Sequence, residues 1–148
     1  MKYKLIVFLF FSVLGYSQKV EIIKKFEVVN SIYDGTKLSK TEKDNGIFYY
    51  LTFREKYNGT LLNSSKSFAM GDDVYVNNIR EIIIKTLNEQ SGDTVKVSLP
   101  EGGYLLLSGT KFLGYKYVFI SYLDEIGIQH TLGEYIEKHI NKLLKLKE

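Results

Sequence analysis

The chain alternates apolar and polar side chains in the manner of β-strands along much of its length. The segment IFYYLTFREKY, residues 47–57, is the clearest case, with Ile47, Tyr49, Leu51 and Phe53 on one face. Because successive side chains of a strand point to opposite faces, this pattern predicts a strand with one buried face. Weaker strand patterns occupy residues 19–40, 61–70, 94–99, 104–114, 115–123 and 128–130. Turn signals separate them: DG at 34–35, NG at 45–46, NGT at 58–60 and PEGG at 100–103.

One internal segment changes from strand to helical spacing. Its apolar residues recur every three or four positions, at Val76, Ile79, Ile83 and Leu87. Asp72 or Asp73 precedes the pattern as a helix cap, and Gly92 follows it as a stop. The spacing therefore predicts a helix over about residues 73–90. The β-branched run EIII leaves a strand as the alternative.

A second helical pattern closes the chain, over about residues 131–146. Its apolar stripe consists of Leu132, Ile136, Ile140 and Leu143. Thr131 and Glu134 have the spacing of a capping box, which predicts that the helix begins at this point.

The order of strands, helix, strands, helix predicts an α+β fold. We expect one antiparallel β-sheet with the two helices packed on one face. An aromatic strand precedes each helix, FYYLTF in the first half and YKYVFISY in the second. A weak β-β-α twofold repeat is a further hypothesis.

The first residues have the layout of a secretory signal peptide. Lys2 and Lys4 precede the apolar run LIVFLFFSVL, and GYSQ follows it. The run is shorter than the about 20 apolar residues needed to cross a bilayer. We expect cleavage near Ser17 and Gln18, which gives a signal peptide of residues 1–17 and a single globular domain of residues 18–148. An uncleaved anchor and a buried strand are the alternatives.

The ending YSQ resembles the export signals of small, uncharacterised exported proteins of Bacteroidota, in which Gln often begins the mature chain. This resemblance covers the signal segment alone. It implies a protein of the Gram-negative envelope, located in the periplasm or secreted. The chain contains no cysteine, so the expected mature terminus is not that of a lipoprotein and stability must come from core packing.

Charge narrows the classes of partner. The chain carries 20 basic and 17 acidic residues, and loss of Lys2 and Lys4 leaves 18 against 17, a net charge of +1. This balance gives no electrostatic basis for binding nucleic acid or an anionic membrane, and we expect no stable membrane insertion after cleavage. An envelope protein or a glycan is the expected partner.

The segment Ser108–Lys111 matches S-x-x-K, the nucleophile motif of serine β-lactamases. That chemistry needs Lys one helical turn after Ser, whereas these residues lie between two predicted strands. The companion motifs are missing from the sequence, so a turn is the preferred interpretation.

Histidine and carboxylate patterns are candidates for metal or catalytic sites. His130 and Glu134 have i,i+4 spacing, but His130 precedes the predicted helix and His139 points elsewhere, so we expect a strand-end and a helix-surface histidine. Adjacent carboxylates occur at Asp72–Asp73 and Asp124–Glu125, and capping and a turn explain them. Paired carboxylates that hydrolyse glycosides must instead face each other across a cleft.

Aromatic strands suggest a binding surface. A sheet face carrying Tyr50, Tyr115 and Tyr117 is a candidate for stacking a sugar or a peptide, although strand aromatics usually pack under helices. Asp93-Thr94-Val95 resembles the O-glycosylation acceptor motif of Bacteroidota, which makes Thr94 a candidate modification site.

Together these patterns predict an exported small protein without cofactor or metal. We favour a non-enzymatic binding or protein-interaction module over an enzyme. A small envelope hydrolase and an immunity-type inhibitor of a periplasmic toxin are the alternatives.

Overall fold

The computed structural model describes residues 26–43 and 46–146, which form eight strands and two helices. The strands are β1 (Glu27–Ser31), β2 (Lys37–Lys43), β3 (Gly46–Tyr57), β4 (Thr60–Gly71), β5 (Thr94–Ser98), β6 (Tyr104–Phe112), β7 (Tyr115–Leu123) and β8 (Gln129–Tyr135). The helices are α1 (Asp73–Glu89) and α2 (Glu137–Leu144). The expected signal peptide, with its cleavage near Ser17 and Gln18, lies outside the described residues.

The strands form two four-stranded antiparallel sheets, and each sheet follows sequence order. The first is β1-β2-β3-β4 and the second is β5-β6-β7-β8. Each sheet is followed by one helix, so the α+β class with antiparallel sheets and two helices is confirmed. The sequence suggested a single sheet. Two form because short hairpin turns pair each strand with its neighbour, and α1 separates β4 from β5.

One hydrophobic core joins both sheets and both helices. β3 lies against β8, and α1 contacts strands of both sheets as well as α2. The buried side chains come from every part of the described chain, including Leu38, Phe53, Ile79, Leu107 and Ile140. The helices therefore do not cover one face of one sheet, since α1 lies in the core shared by the two sheets.

The predicted face of β3 is confirmed over most of its length. Tyr49, Leu51 and Phe53 are buried, whereas Ile47 at the start of the strand is exposed. In β4, Phe68 is buried in the same core, although the polar segment before it gives only a weak strand pattern.

Helix α1 matches its prediction closely. The side chain of Asp72 accepts a hydrogen bond from the backbone N–H of Tyr75 at 2.9 Å, which caps the helix. The helix ends at Gln90, whose φ of 51° is left-handed, rather than at Gly92.

Helix α2 begins at Glu137, six residues after the predicted start at Thr131. Residues 129–135 are instead strand β8, paired with β7 through Val118 and Tyr135. The capping-box prediction for Thr131 and Glu134 is therefore wrong, because sheet pairing and burial of the Tyr135 ring outweigh a local helix signal.

Candidate functional site: the seam between the sheets

The two sheets meet where β3 lies against β8, and we call this contact the seam. Strand pairing is irregular on both sides of the seam, within β8 and within β4, the neighbour of β3. In β8 Leu132 is extra, since Ile120 faces Gly133 while the next residue of β7 faces Thr131. In β4 an irregularity lies opposite Arg54 and Lys56 of β3. Bulges bend strands and redirect side chains, and they are common beside functional sites.

The first polar cluster at the seam is built around the buried carboxylate of Asp34, in the β1–β2 turn. Its Oδ1 accepts a hydrogen bond from the backbone N–H of Thr36 at 2.9 Å. Its Oδ2 accepts from the Lys56 ammonium at 3.1 Å and from the Tyr135 hydroxyl at 2.9 Å. These donors come from β3 and β8, so one carboxylate joins three segments of the chain. We call this group the Asp34 cluster.

The surroundings shift the proton affinities of the Asp34 cluster away from neutral pH. Burial alone would raise the pKa of Asp34, but the hydrogen bonds from Thr36, Lys56 and Tyr135 outweigh it and lower that pKa. Burial raises the pKa of the Tyr135 hydroxyl, and the adjacent Asp34 charge raises it further. Asp34 therefore stays ionised and Tyr135 stays protonated at neutral pH.

Gly133 makes room for Lys56 in this cluster. The Lys56 ammonium lies 5.3 Å from the centre of the Tyr135 ring, a cation–π distance. A Cβ added at Gly133 would lie 2.5 Å from the Lys56 Nζ, and the φ of +135° at Gly133 disfavours other residues. The position of Lys56 therefore depends on a residue without a side chain in the neighbouring strand.

The second polar cluster is built around His130, which is 5% exposed. Its Nδ1 lies 3.0 Å from Oε1 of Glu55, and its Nε2 lies 3.1 Å from Oδ2 of Asp124. Both contacts are hydrogen bonds only when the imidazole carries both protons, since a carboxylate accepts and does not donate. Glu55 belongs to the first sheet, and Asp124 follows β7 of the second. This His130 cluster is therefore a second polar link across the seam.

Asp124 also organises the β7–β8 turn. Its Oδ1 accepts hydrogen bonds from the backbone N–H groups of Ile126 at 3.1 Å and Ile128 at 2.7 Å. Burial acts to raise the pKa of Asp124, but hydrogen bonds from His130 and from these backbone groups lower it overall. The predicted turn role of Asp124 is confirmed, and its contact with His130 is additional.

An open cleft of about 810 Å³ lies beside the Asp34 cluster. Two exposed tyrosines line it, Tyr33 at 73% and Tyr57 at 68% exposure. Its other lining residues include Lys56, Phe119, Thr131 and Glu134. We call it the tyrosine cleft. It combines flat aromatic surfaces with a wall of fixed charge.

A second groove, of about 410 Å³, adjoins the tyrosine cleft. The two share Glu134, and Tyr117 and Phe112 line the second groove. Phe119 and Tyr117 are two residues apart on β7, so they point to the same side of the sheet. The aromatic surface thus continues from the cleft along β7.

The three tyrosines predicted from sequence do not share one sheet face. Tyr50 lies on β3 in the first sheet, where its hydroxyl donates to Glu101 at 3.1 Å. Tyr115 and Tyr117 lie on β7 in the second sheet. Ligand binding by any of them stays a prediction, although Tyr117 lines the groove beside the tyrosine cleft.

The S-x-x-K arrangement is not formed. Ser108 and Lys111 lie on strand β6, where residues three apart point to opposite faces. The Ser108 hydroxyl lies 3.0 Å from that of Thr94, the exposed first residue of β5. O-glycosylation of Thr94 stays a prediction.

The remaining candidates occupy separate places. His130 and Glu134 both lie on β8, and His139 lies on α2 with its ring 5.0 Å from that of Tyr33. Across residues 26–43 and 46–146, no three His, Cys, Asp or Glu side chains group as metal ligands. A small hydrolase would need polar residues from separate segments, such as His130, Asp124, Glu125 and Ser108, to converge in one cleft. The first two meet, whereas Ser108 is hydrogen-bonded to Thr94 on β5.

Comparisons with protein-family models, with curated proteins and with solved structures found no match.

Proposed function

We propose that the chain is an exported, non-enzymatic binding module that holds an extended glycan in the tyrosine cleft. The observation that carries the proposal is the pair of exposed rings, Tyr33 and Tyr57, beside a wall of charges held by their own partners. Binding sites typically combine apolar and aromatic surface with a few fixed polar groups.

The pKa shifts in the Asp34 cluster support binding rather than catalysis. General acids and bases work best when their pKa lies near the working pH. The pKa of Asp34 is lowered and that of Tyr135 is raised, so both move away from neutral pH. Since Asp34 already accepts hydrogen bonds from three residues, its role in this proposal is to fix Lys56 and the shape of the wall.

The lining of the cleft supports a glycan as the ligand. Aromatic rings offer flat apolar faces against which the C–H faces of sugar rings stack. Thr131 and Glu134 offer a hydroxyl and a carboxylate for sugar hydroxyl groups. The Lys56 charge is already paired with Asp34, which favours a neutral sugar over an anionic one. The continuation of the aromatic surface along β7 favours an extended chain.

The experiment measures binding of residues 18–148 to soluble neutral glycans from Gram-negative envelopes by calorimetry. The double variant Tyr33→Ala/Tyr57→Ala should weaken binding about tenfold or more, because two stacking surfaces are removed. Tyr115→Ala is the matched control, since Tyr115 is equally exposed at 67% but does not line the cleft.

Equal loss in the control and the double variant would contradict the cleft assignment. Loss in Tyr115→Ala alone would move the binding site to the surface of β7 that carries Tyr115 and Tyr117. A crosslinked envelope protein, recovered with the wild type and lost with the cleft variant, would replace the glycan by a protein partner.

A further inference from the structure

The turn between β6 and β7 carries an exposed apolar group at the end of the second sheet. Phe112 is 66% exposed, Leu113 is 81% exposed and Tyr115 is 67% exposed. With Gly114 they form the whole turn, which we call the hairpin tip. None of these four residues lines the tyrosine cleft.

The backbone conformation of the hairpin tip is unfavourable for Leu113. Leu113 has a φ of 49° and Gly114 a φ of 84°, so both central residues of this two-residue turn are left-handed. Such turns strongly favour Asn-Gly or Asp-Gly, because a branched apolar residue is strained at positive φ. Leucine at this position therefore disfavours the turn and exposes its side chain to water.

Two like charges also face each other directly behind the hairpin tip, which disfavours the hairpin. Lys111 and Lys116 are direct cross-strand partners, and like charges in that position repel. Lys116 donates a hydrogen bond to the backbone carbonyl of Asn88 at 3.3 Å, and Glu134 lines the groove that contains Lys111. Local features that reduce stability without a structural gain are expected where a surface serves a function.

We propose that the hairpin tip is a peripheral membrane-binding element that docks reversibly on an anionic lipid surface. Leu113 and Phe112 enter the boundary between headgroups and acyl chains, where such side chains anchor interfacial elements. Tyr115, the cross-strand partner of Phe112, lies beside it at the interface, where aromatic residues are enriched. Lys111 and Lys116 reach anionic headgroups on their long aliphatic stems.

This mode of binding differs from insertion. Neither helix among the described residues is long and apolar enough to span a membrane. The near-neutral charge expected for residues 18–148 gives no sign of this surface, because it averages over the chain whereas the two lysines lie together at one end. Lys111 and Phe112 also line the groove that adjoins the tyrosine cleft, but docking of the tip on lipid does not require glycan binding.

The opposite end of β7 provides a matched control. Ile126 is 80% exposed in the β7–β8 turn, which is as exposed as Leu113. Its neighbours in the turn are the carboxylates of Asp124 and Glu125 rather than lysines. The two turns therefore carry similar apolar exposure with opposite charge.

The test is co-sedimentation of residues 18–148, which contain every described element, with vesicles containing phosphatidylglycerol and with vesicles of phosphatidylcholine alone. Leu113→Asn creates Asn-Gly, the preferred sequence for this turn, so the melting temperature should stay or rise. Its partition onto anionic vesicles should nevertheless fall about tenfold, from the loss of one buried leucine. Ile126→Asn should leave partition unchanged.

Charge is tested separately with Lys111→Gln/Lys116→Gln. Each lysine should account for roughly a fivefold change in partition on anionic vesicles, and added salt should reduce wild-type binding. The double variant should approach the weak partition of the wild type on phosphatidylcholine alone.

Three results would overturn the proposal. They are no sedimentation with anionic vesicles, equal loss in Ile126→Asn and Leu113→Asn, or unchanged binding in all tip variants. Absence of vesicle binding, together with a protein crosslink from envelope extract that Leu113→Asn removes, would assign the tip to a protein partner instead.

Discussion

The Asp34 cluster and the His130 cluster link the same two sheets by opposite arrangements. The first surrounds a buried carboxylate with hydrogen-bond donors and includes its own counter-charge, Lys56. The second places a buried imidazole between two carboxylates, Glu55 and Asp124. The Asp34 cluster is therefore complete without an added proton. The His130 cluster satisfies both carboxylates only while the ring is doubly protonated.

The difference indicates a division of roles along the seam. The Asp34 cluster borders the tyrosine cleft, and because the pKa of Asp34 is lowered and that of Tyr135 is raised, both groups keep one protonation state at neutral pH. The His130 cluster has side chains that are 6% exposed for His130 and about a fifth exposed for its two partners. It ties the sheets together through one imidazole that contacts a carboxylate on each side.

The largest expected effect comes from Asp34→Ala. Removal of the carboxylate leaves the Lys56 ammonium largely buried without its partner, and unpairing a buried charge costs about 3 kcal/mol of unfolding free energy. Urea denaturation at neutral pH measures the loss.

The double variant Asp34→Ala/Lys56→Met separates the unpaired charge from other effects of Asp34. It should recover much of the lost stability, because no unpaired charge remains. Equal destabilisation in the single and double variants would show that the Thr36 and Tyr135 hydrogen bonds, rather than the ion pair, stabilise the cluster.

A smaller effect is expected from Gly133→Ala. The added Cβ must displace the Lys56 ammonium and sit at positive φ, which together should cost about 2 kcal/mol in thermal or urea unfolding. Gly127→Ala is the matched control, since its φ of +86° is also left-handed but no atom lies within 4 Å of the added Cβ. It should cost about 1 kcal/mol. Equal costs would mean that Lys56 moves aside freely.

The smallest expected effect is a change in how stability falls at acid pH. Because the folded-state pKa of Asp34 is lowered, its contribution to stability is complete above the unfolded value of about 3.9 and is lost as pH falls through the folded value. The pKa of Asp124 is also lowered, so its contribution to stability is lost with falling pH in the same way. Unfolding measured from neutral to about pH 2 should therefore show a shallower acid loss in Asp34→Asn than in wild type.

Asp124→Asn should reduce the loss of stability at acid pH less than Asp34→Asn does. The side chain of Asp124 is 20% exposed and that of Asp34 is 3% exposed, so water screens the Asp124 interactions more. If the stability of Asp34→Asn falls with pH as steeply as that of the wild type, the assignment of Asp34 as an acid-sensitive group is wrong.

Local signals in the sequence predicted the elements of this fold well. Alternation along β3 identified its buried face, and Asp72 was recognised as a cap, because both signals depend on residues a few positions apart. The start of α2 was mispredicted where a local capping pattern competed with pairing to β7. Such competition is decided by tertiary contacts that a short window of sequence does not contain.

The seam could not be predicted in the same way. Glu55 and His130 are 75 residues apart, and Asp34 and Tyr135 are 101 residues apart. The spacing of apolar residues along the chain gives no information on contacts between residues so far apart. Two weak signals did exist. One is Glu55, a charged residue that continues the buried face of Leu51 and Phe53, and the other is the isolated Gly133 in a segment with a helical pattern.

The bulge at Leu132 has a consequence for how this site tolerates change. His130 and Tyr135 are five residues apart, an odd separation that in a regular strand points side chains to opposite faces. Their partners on β7, Tyr122 and Val118, are four apart, so the extra residue brings both side chains to one side. The joint presence of the two clusters thus depends on the number of residues between them as well as on their identity. Loss of a single codon there would separate the clusters, even where most single substitutions would leave them together.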